Sequence, residues 1–315
     1  MSKKIYLNKH DIKTKKDIHT RFAVFSDLHY NKTFPKESLD TIKDVLVKQN
    51  PDYVVIPGDI LDEAKIIENE EHAKIIEDFL YGIGECSNVV ISLGNHDLFN
   101  SEQQGRKQVW KQVEVGRSFL KKLQEDKNIY VLDNETKFIG DVMFTGFNPF
   151  DSISYYEKKG YNNPAAFNHL FRSEMGKSNI YVSPEYDKYY HVTLIHDPTN
   201  PYRKEVIERL PLLNHSDMIV SGHHHNGGCP AWMTNLPGSR GLINAYSQIL
   251  PNYTRGFGNY QIDEKMIYYL ISGGITKWAE SVQFKGIPLH FLEHFYKGNI
   301  DIIDVEPEPG FQKKR

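Results

Sequence analysis

Short apolar runs alternate along the chain with segments whose apolar positions recur at helical spacing. Residues 21–26, RFAVFS, predict a buried strand. Leu39, Ile42, Val45 and Leu46 then make one helical face, and Asn50-Pro51 ends that helix because proline cannot supply the next N–H. Residues 52–57, DYVVIP, predict a second strand, and residues 66–80 a charged amphipathic helix closed by Gly82. A third strand is expected at 88–93 and a helix from about 102 to 124. Residues 129–147 read as strands joined by turns, IYVLD, KFIG and DVMFTGF. Residues 151–190 break the rhythm with a run rich in Tyr, Asn and Lys, which predicts an insertion beside the core. Strands return at 191–195 and 218–220, and GNYQIDEKMIYYLISGG predicts a hairpin within a β-rich part at about 240–305. This alternation signals α/β construction. No Pro/Gly/Ser linker divides the chain, so one domain over residues 1–315 is expected, with two sheets inside and helices outside.

Composition narrows the picture. At 315 residues the chain exceeds the ~250–300 at which a single core stops growing, but 39% hydrophobic and 25% charged residues are an ordinary globular mixture. The apolar runs are strand-sized, far short of the ~20 residues of a membrane-spanning helix. The opening MSKKIYLNKHDIKTKK has lysines but no apolar core, so it reads as a solvated, loosely ordered terminus and not as a signal peptide. Two cysteines, Cys86 and Cys229, lack metal-type spacing and suit a reducing, cytoplasmic setting, with Cys229 expected as a small buried residue. A net charge of −3 offers no general footprint for nucleic acid.

The chemistry collects behind the strands. Asp27-Leu28-His29 follows the first, Gly58-Asp59-Ile60-Leu61-Asp62 the second and Gly94-Asn95-His96-Asp97 the third. His196 follows the strand at 191–195, and Gly222-His223-His224-His225 follows the strand at 218–220. In an open α/β sheet the carboxyl ends of the strands are where sites form. In extended backbone, side chains two apart point the same way. Asp27 and His29 are therefore expected to project together, as are His223 and His225, while His224 points away. Gly58, Gly94 and Gly222 let the backbone turn tightly beside them.

Asp-x-His, Gly-Asp-x-x-Asp, Gly-Asn-His-Asp, a lone His and Gly-His-x-His, in this order over residues 22–225, resemble the calcineurin-like metallophosphoesterases. The resemblance implies a four-layer α-β-β-α sandwich with two mixed sheets. It implies that Asp27, His29, Asp59 and His225 hold one divalent metal and that Asp59, Asn95, His196 and His223 hold a second, with Asp59 bridging. The ligand mixture suits Mn, Fe or Zn. Two such ions clamp phosphoryl oxygens and activate a water for attack on phosphorus, and only two carboxylates offset their charge, so the site favours an anion. His96 would stand beside the metals and protonate the leaving group. Asp62 would hydrogen-bond a metal-binding histidine and Asp97 would orient His96 or its loop.

The pattern also departs from particular branches. Glu63-Ala64 and Asp97 stand where protein Ser/Thr phosphatases carry Arg-Gly and Glu, so a protein phosphatase is not expected. The Gly222–Gly228 run is similar to that of bacterial phosphodiesterases, except that Asn226 replaces the Gly usual after the second histidine. The expected activity is hydrolysis of a small or medium-sized phosphoester, most simply a diester. A nuclease and a metal-free protein-binding scaffold are the alternatives; the acidic balance opposes the first and the filled ligand positions oppose the second.

Overall fold

The computed structural model describes residues 4–104, 107–124, 128–148, 186–198, 204–208, 210–229, 241–242, 252, 254–276, 283–284, 287–288 and 298–310. The insertion expected at 151–190 therefore lies outside the described residues up to 185. Two six-stranded sheets stack face to face. The first contains β1 (Ile5–Thr14), β2 (Thr20–Val24), β3 (Tyr53–Pro57), β4 (Asn88–Ser92), β7 (Ile129–Leu132) and β16 (Gly298–Pro307), in the order β1-β16-β2-β3-β4-β7. The second contains β8 (Glu135–Ile139), β9 (Val142–Phe147), β10 (Tyr190–Ile195), β11 (Met218–Ser221), β12 (Gly256–Ile262) and β13 (Lys265–Ile271), in the order β12-β13-β11-β10-β9-β8. A hairpin of β5 (Phe99–Gln104) and β6 (Lys107–Gln112) and a minimal one of β14 (Gln283–Phe284) and β15 (Ile287–Pro288) stand apart from both.

Strand alternation builds the layers. Tyr53 and Val55 of β3 join Phe22, Val24, Phe144, Val192, Leu194 and Val220 in the core between the sheets. Val54 and Ile56 turn the other way, toward Leu39, Ile42 and Leu46 of α1 (Lys36–Gln49) and Ile76, Phe79 and Leu80 of α2 (Glu70–Gly84). On the far side, Ile195 and Ile219 belong with Leu212 and Leu213 of the short helix Pro211–His215. The result is the expected four-layer α-β-β-α sandwich. Strands β2, β3, β4 and β7 run parallel, as do β9, β10, β11 and β13, so their carboxyl ends leave each sheet at one edge.

Three expectations change. The lysine-rich start is a ten-residue edge strand, β1, paired in parallel with β16 from Ile5↔Gly298 to Thr14↔Pro307. Its polar residues hide the pattern, yet Ile12 is buried, Asn8 and His10 bond the Asp301 carboxylate at 2.9 and 3.0 Å, and charged side chains are normal on an exposed edge. The helix expected over 102–124 is the β5–β6 hairpin followed by α4 (Glu114–Leu123). The helix expected at 66–80 is a 3₁₀ turn, Ala64–Glu68, then α2, capped by the Asn69 side chain on the Glu71 and His72 N–H groups.

At the end of the second sheet away from the candidate chemistry, His191 is buried, with Nε2 at 3.0 Å from Thr145 Oγ1 and 3.3 Å from Thr193 Oγ1. Burial, with Lys265 adding to it, pushes its pKa down from the usual 6.5 to about 3. The folded protein thus resists a proton that the unfolded chain accepts. The stability this neutral ring provides is complete above 6.5 and is lost as pH falls from 6.5 toward 3. Acid denaturation of the wild type and of His191→Gln should therefore differ in slope between those values, by at most about 1.4 kcal/mol per pH unit. Parallel curves would remove His191 from the acid response.

Candidate metal centre

The strand-end loops converge. Among the described residues, Asp27, His29 and His225 form one group whose donor atoms all lie within 4.8 Å of one another, and Asp59, His196 and His223 form another. A third, His29, Asp62 and His96, adjoins the first through His29. Asp59 stands between the first two: its Oδ2 is 2.9 Å from His196 Nε2 and 3.6 Å from His29 Nε2. Asp27 Oδ1 lies 3.6 Å from His225 Nε2 and 3.8 Å from His29 Nε2. Asn95 opens the short helix α3 (Asn95–Leu98), and its Oδ1 is buried without a hydrogen-bond partner, as is His29 Nε2.

The local backbone is not the extended ribbon that spacing suggests. Asp27, His29, Asp59, His223 and His225 have φ of 52°, 46°, 55°, 70° and 44°, all in the left-handed region that Asp and His visit more readily than most side chains. Such residues cost of order 1–3 kcal/mol each and cluster at functional sites. Asp27 and His29 still meet, as alternation predicts, but by paired left-handed turns. His223 and His225 separate, one to each main group. His224 falls in none of the three groups, and it is buried, which pushes its pKa down to about 4.

Close approach explains two glycines. A Cβ on Gly94 would lie 2.1 Å from Asp59 Oδ1, and one on Gly222 would lie 2.6 Å from Ser26 Oγ and 2.7 Å from Asp27 Oδ2. The carboxylates therefore rest directly on backbone. Asp27 also accepts the His223 N–H at 3.0 and 3.1 Å and the Ser26 hydroxyl, while Asp59 Oδ1 accepts the His96 N–H at 2.8 Å.

Three imidazoles are aimed by backbone carbonyls, which only accept. His196 Nδ1 donates to Pro57 O at 2.6 Å, His225 Nδ1 to Thr276 O at 2.8 Å and His96 Nδ1 to Asp62 O at 2.6 Å. In the neutral ring each bond places the proton on Nδ1 and leaves Nε2 free to take a cation or a second proton. His29 Nδ1 lies 3.3 Å from Asp62 Oδ1, the contact expected of Asp62. Of the two tasks expected of Asp97, orienting His96 or its loop, the hydrogen bonds are those of the loop. The Asp97 carboxylate accepts the N–H groups of Asp59, Leu61 and Gly94 at 2.9, 3.0 and 2.9 Å, stapling two strand-end loops together. Sequence reading misses Ser26, Pro57 and Thr276, two of which act through main-chain oxygen that every residue carries.

The electrostatics show what the cage favours. Burial works against charge on both carboxylates, but the imidazoles of His225, His29 and His196 hold Asp27 low, and His196 and His96 hold Asp59 low. Conversely, burial disfavours charged His29 and His196, yet the facing carboxylates raise them to about 10 and about 9. The carboxylates draw positive charge into a buried space.

The calcineurin-like phosphoesterase family matches residues 20–227. Among solved structures, the chain is similar to a dimetal phosphatase from Danio rerio, at 11% identity over 81% of this chain and 87% of that one, with a TM-score of 0.38. It is also similar to the NAD nucleotidase of Haemophilus influenzae, at 13% identity over 82% of this chain and 46% of that one, with a TM-score of 0.43. No curated protein matches the chain. Among the described residues no helix is long and apolar enough to cross a membrane.

Proposed function

The chain belongs to the calcineurin-like phosphoesterase family of metal-dependent hydrolases, and from that premise we propose that it is a binuclear phosphodiesterase. Asp27, His29, Asp59 and His225 hold one metal in this reading. Asp59, Asn95, His196 and His223 hold the other, and Asp59 is shared. The observation that carries it is the place of the Asp59 carboxylate, within 2.9 Å of a donor in one group and 3.6 Å of a donor in the other.

The donor set fits cations. A buried polar atom without a hydrogen bond is costly, and His29 Nε2 and Asn95 Oδ1 are both such atoms. Mixed imidazole, carboxylate and amide oxygen suits Mn, Fe or Zn. Two such ions, when bound, polarise the phosphoryl oxygens and lower the pKa of water. The protein's own residues do the rest. Carbonyl-anchored imidazoles present Nε2 without further reorganisation. His96, with Nδ1–H held by Asp62 O, delivers the second proton of its protonated ring from Nε2 to the leaving oxygen. The substrate is a small or medium-sized phosphoester handled by one cytoplasmic domain over residues 1–315, without nucleic-acid specificity.

The test is turnover by metal-reconstituted protein of bis-p-nitrophenyl phosphate against p-nitrophenyl phosphate, cyclic nucleotides and nucleotide-diphosphate sugars. Diesters should be the better substrates by kcat/KM. A clear preference for the monoester would replace the phosphodiesterase reading with a phosphatase one.

A further inference from the structure

The β5–β6 hairpin follows α3 directly and pairs with neither sheet. It is nevertheless held firmly. Leu98 and Phe99 enter the helix-side core, Asn100 Oδ1 accepts the Lys65 N–H at 3.0 Å, and Ser101 Oγ donates to Glu63 Oε1 at 2.6 Å. Directly across from Ser101 on the facing strand is Trp110. Its ring centroid lies 5.0 Å from that of His96, with the planes at 71°, and the residue is 40% exposed. A tryptophan is the largest apolar surface a chain can bury, so one left open beside a polar, buried cage is the informative kind of exposure.

A cleft of about 420 Å³ adjoins the turn that anchors the hairpin, lined by Asn31, Lys32, Thr33, Asp62, Glu63 and Lys65 among others, with neither Trp110 nor His96 in its wall. Asp62 is the residue whose carbonyl anchors His96, and Glu63 and Lys65 are the residues that anchor the hairpin. The cleft and the Trp110 hairpin therefore share the turn that runs past His96.

We propose that Trp110 is the platform on which the departing half of the substrate rests, and that this half carries a flat aromatic ring, as a nucleoside or an aryl alcohol does. The inference rests on the reading of His96 as proton donor to the leaving oxygen, because the group attached to that oxygen must then lie beside His96. An exposed indole ring 5.0 Å from His96 favours a flat π system over a bare alkyl chain.

The experiment compares wild type, Trp110→Ala and Trp110→Phe as metal-loaded protein. For bis-p-nitrophenyl phosphate, Trp110→Ala should raise KM by roughly 5- to 150-fold, the range for one ring stacked on one aromatic side chain, with kcat changed much less. For a dialkyl phosphodiester the KM shift should be far smaller, and Trp110→Phe should recover most of the loss. Equal losses in kcat on both substrates would make Trp110 a support for His96 and overturn the proposal. A second readout needs no turnover. Adenosine should quench the tryptophan fluorescence saturably in wild type and not in Trp110→Ala, whereas ribose should quench neither. Competition by adenosine against phenol separates a nucleoside from a simple aryl group. Absence of any Trp110-dependent quenching by either would also overturn the platform, independently of whether the protein hydrolyses phosphodiesters.

Discussion

Asp59→Asn should empty both halves of the centre together. One carboxylate reaches His196 of one group at 2.9 Å and His29 of the other at 3.6 Å. Asparagine keeps the shape, so the tight seat against Gly94 survives and the change is one of charge. The amide brings no negative charge and only one acceptor oxygen where two were used, one of them by the His96 N–H. Metal content should fall for both ions, and kcat/KM should drop by more than the roughly 10- to 100-fold typical of losing an outer partner of a metal ligand. Elemental analysis of the purified variant decides the matter. Two full equivalents of metal would end the shared-carboxylate assignment.

His96→Ala should separate chemistry from assembly. The backbone N–H that holds Asp59 Oδ1 remains in alanine, so the cage and its metals should persist. What disappears is the ring that Asp62 O locks at Nδ1, and with it the proton at Nε2. A general acid contributes roughly 10²–10⁴ in rate, and the loss should approach that range for an alkyl alkoxide leaving group. It should be much smaller for p-nitrophenolate, which departs without a proton. Measured at matched metal occupancy, an equal fall in kcat for both substrates would remove His96 from the acid role.

Much of this centre is legible in the sequence because its donors come in local packets at strand ends. Each packet needs only a parallel strand to be delivered to the common edge, and apolar runs such as DYVVIP announce those strands. What escapes is set by distant or main-chain partners. β1 is unreadable because its alternation is diluted by lysines and its partner lies nearly three hundred residues on, with Asn8 meeting Asp301 across 293 positions. The β5–β6 hairpin reads as helix because its turn carries no strong punctuation within SEQQGRKQVW beyond a single glycine. The orientation of His196 and His225 depends on the carbonyls of Pro57 and Thr276, which leave no trace in residue type. The left-handed backbone beneath Asp27, His29, His223 and His225 is equally silent, and it places Asp27 and His29 in one donor group while His223 and His225 fall in two.

The position of β16 has a bearing on how the molecule is made. It lies between β1 and β2, antiparallel to the strand that leads into Asp27 and parallel to the first strand of the chain. A growing chain emerges from its N-terminus, so β1 is made well before β16 and waits for it, and β2 keeps a bare edge until β16 arrives. The turn at Gly273-Gly274, which packs against Asp27 and accepts the Asn299 N–H at 3.0 Å, is secured by that same late strand. Contacts of such long sequence separation form slowly and leave unpaired edges exposed meanwhile. Assembly of the cage is therefore timed by a strand that comes after every ligand, and a nascent chain stalled before residue 298 would hold all five packets and no finished first sheet to set them in.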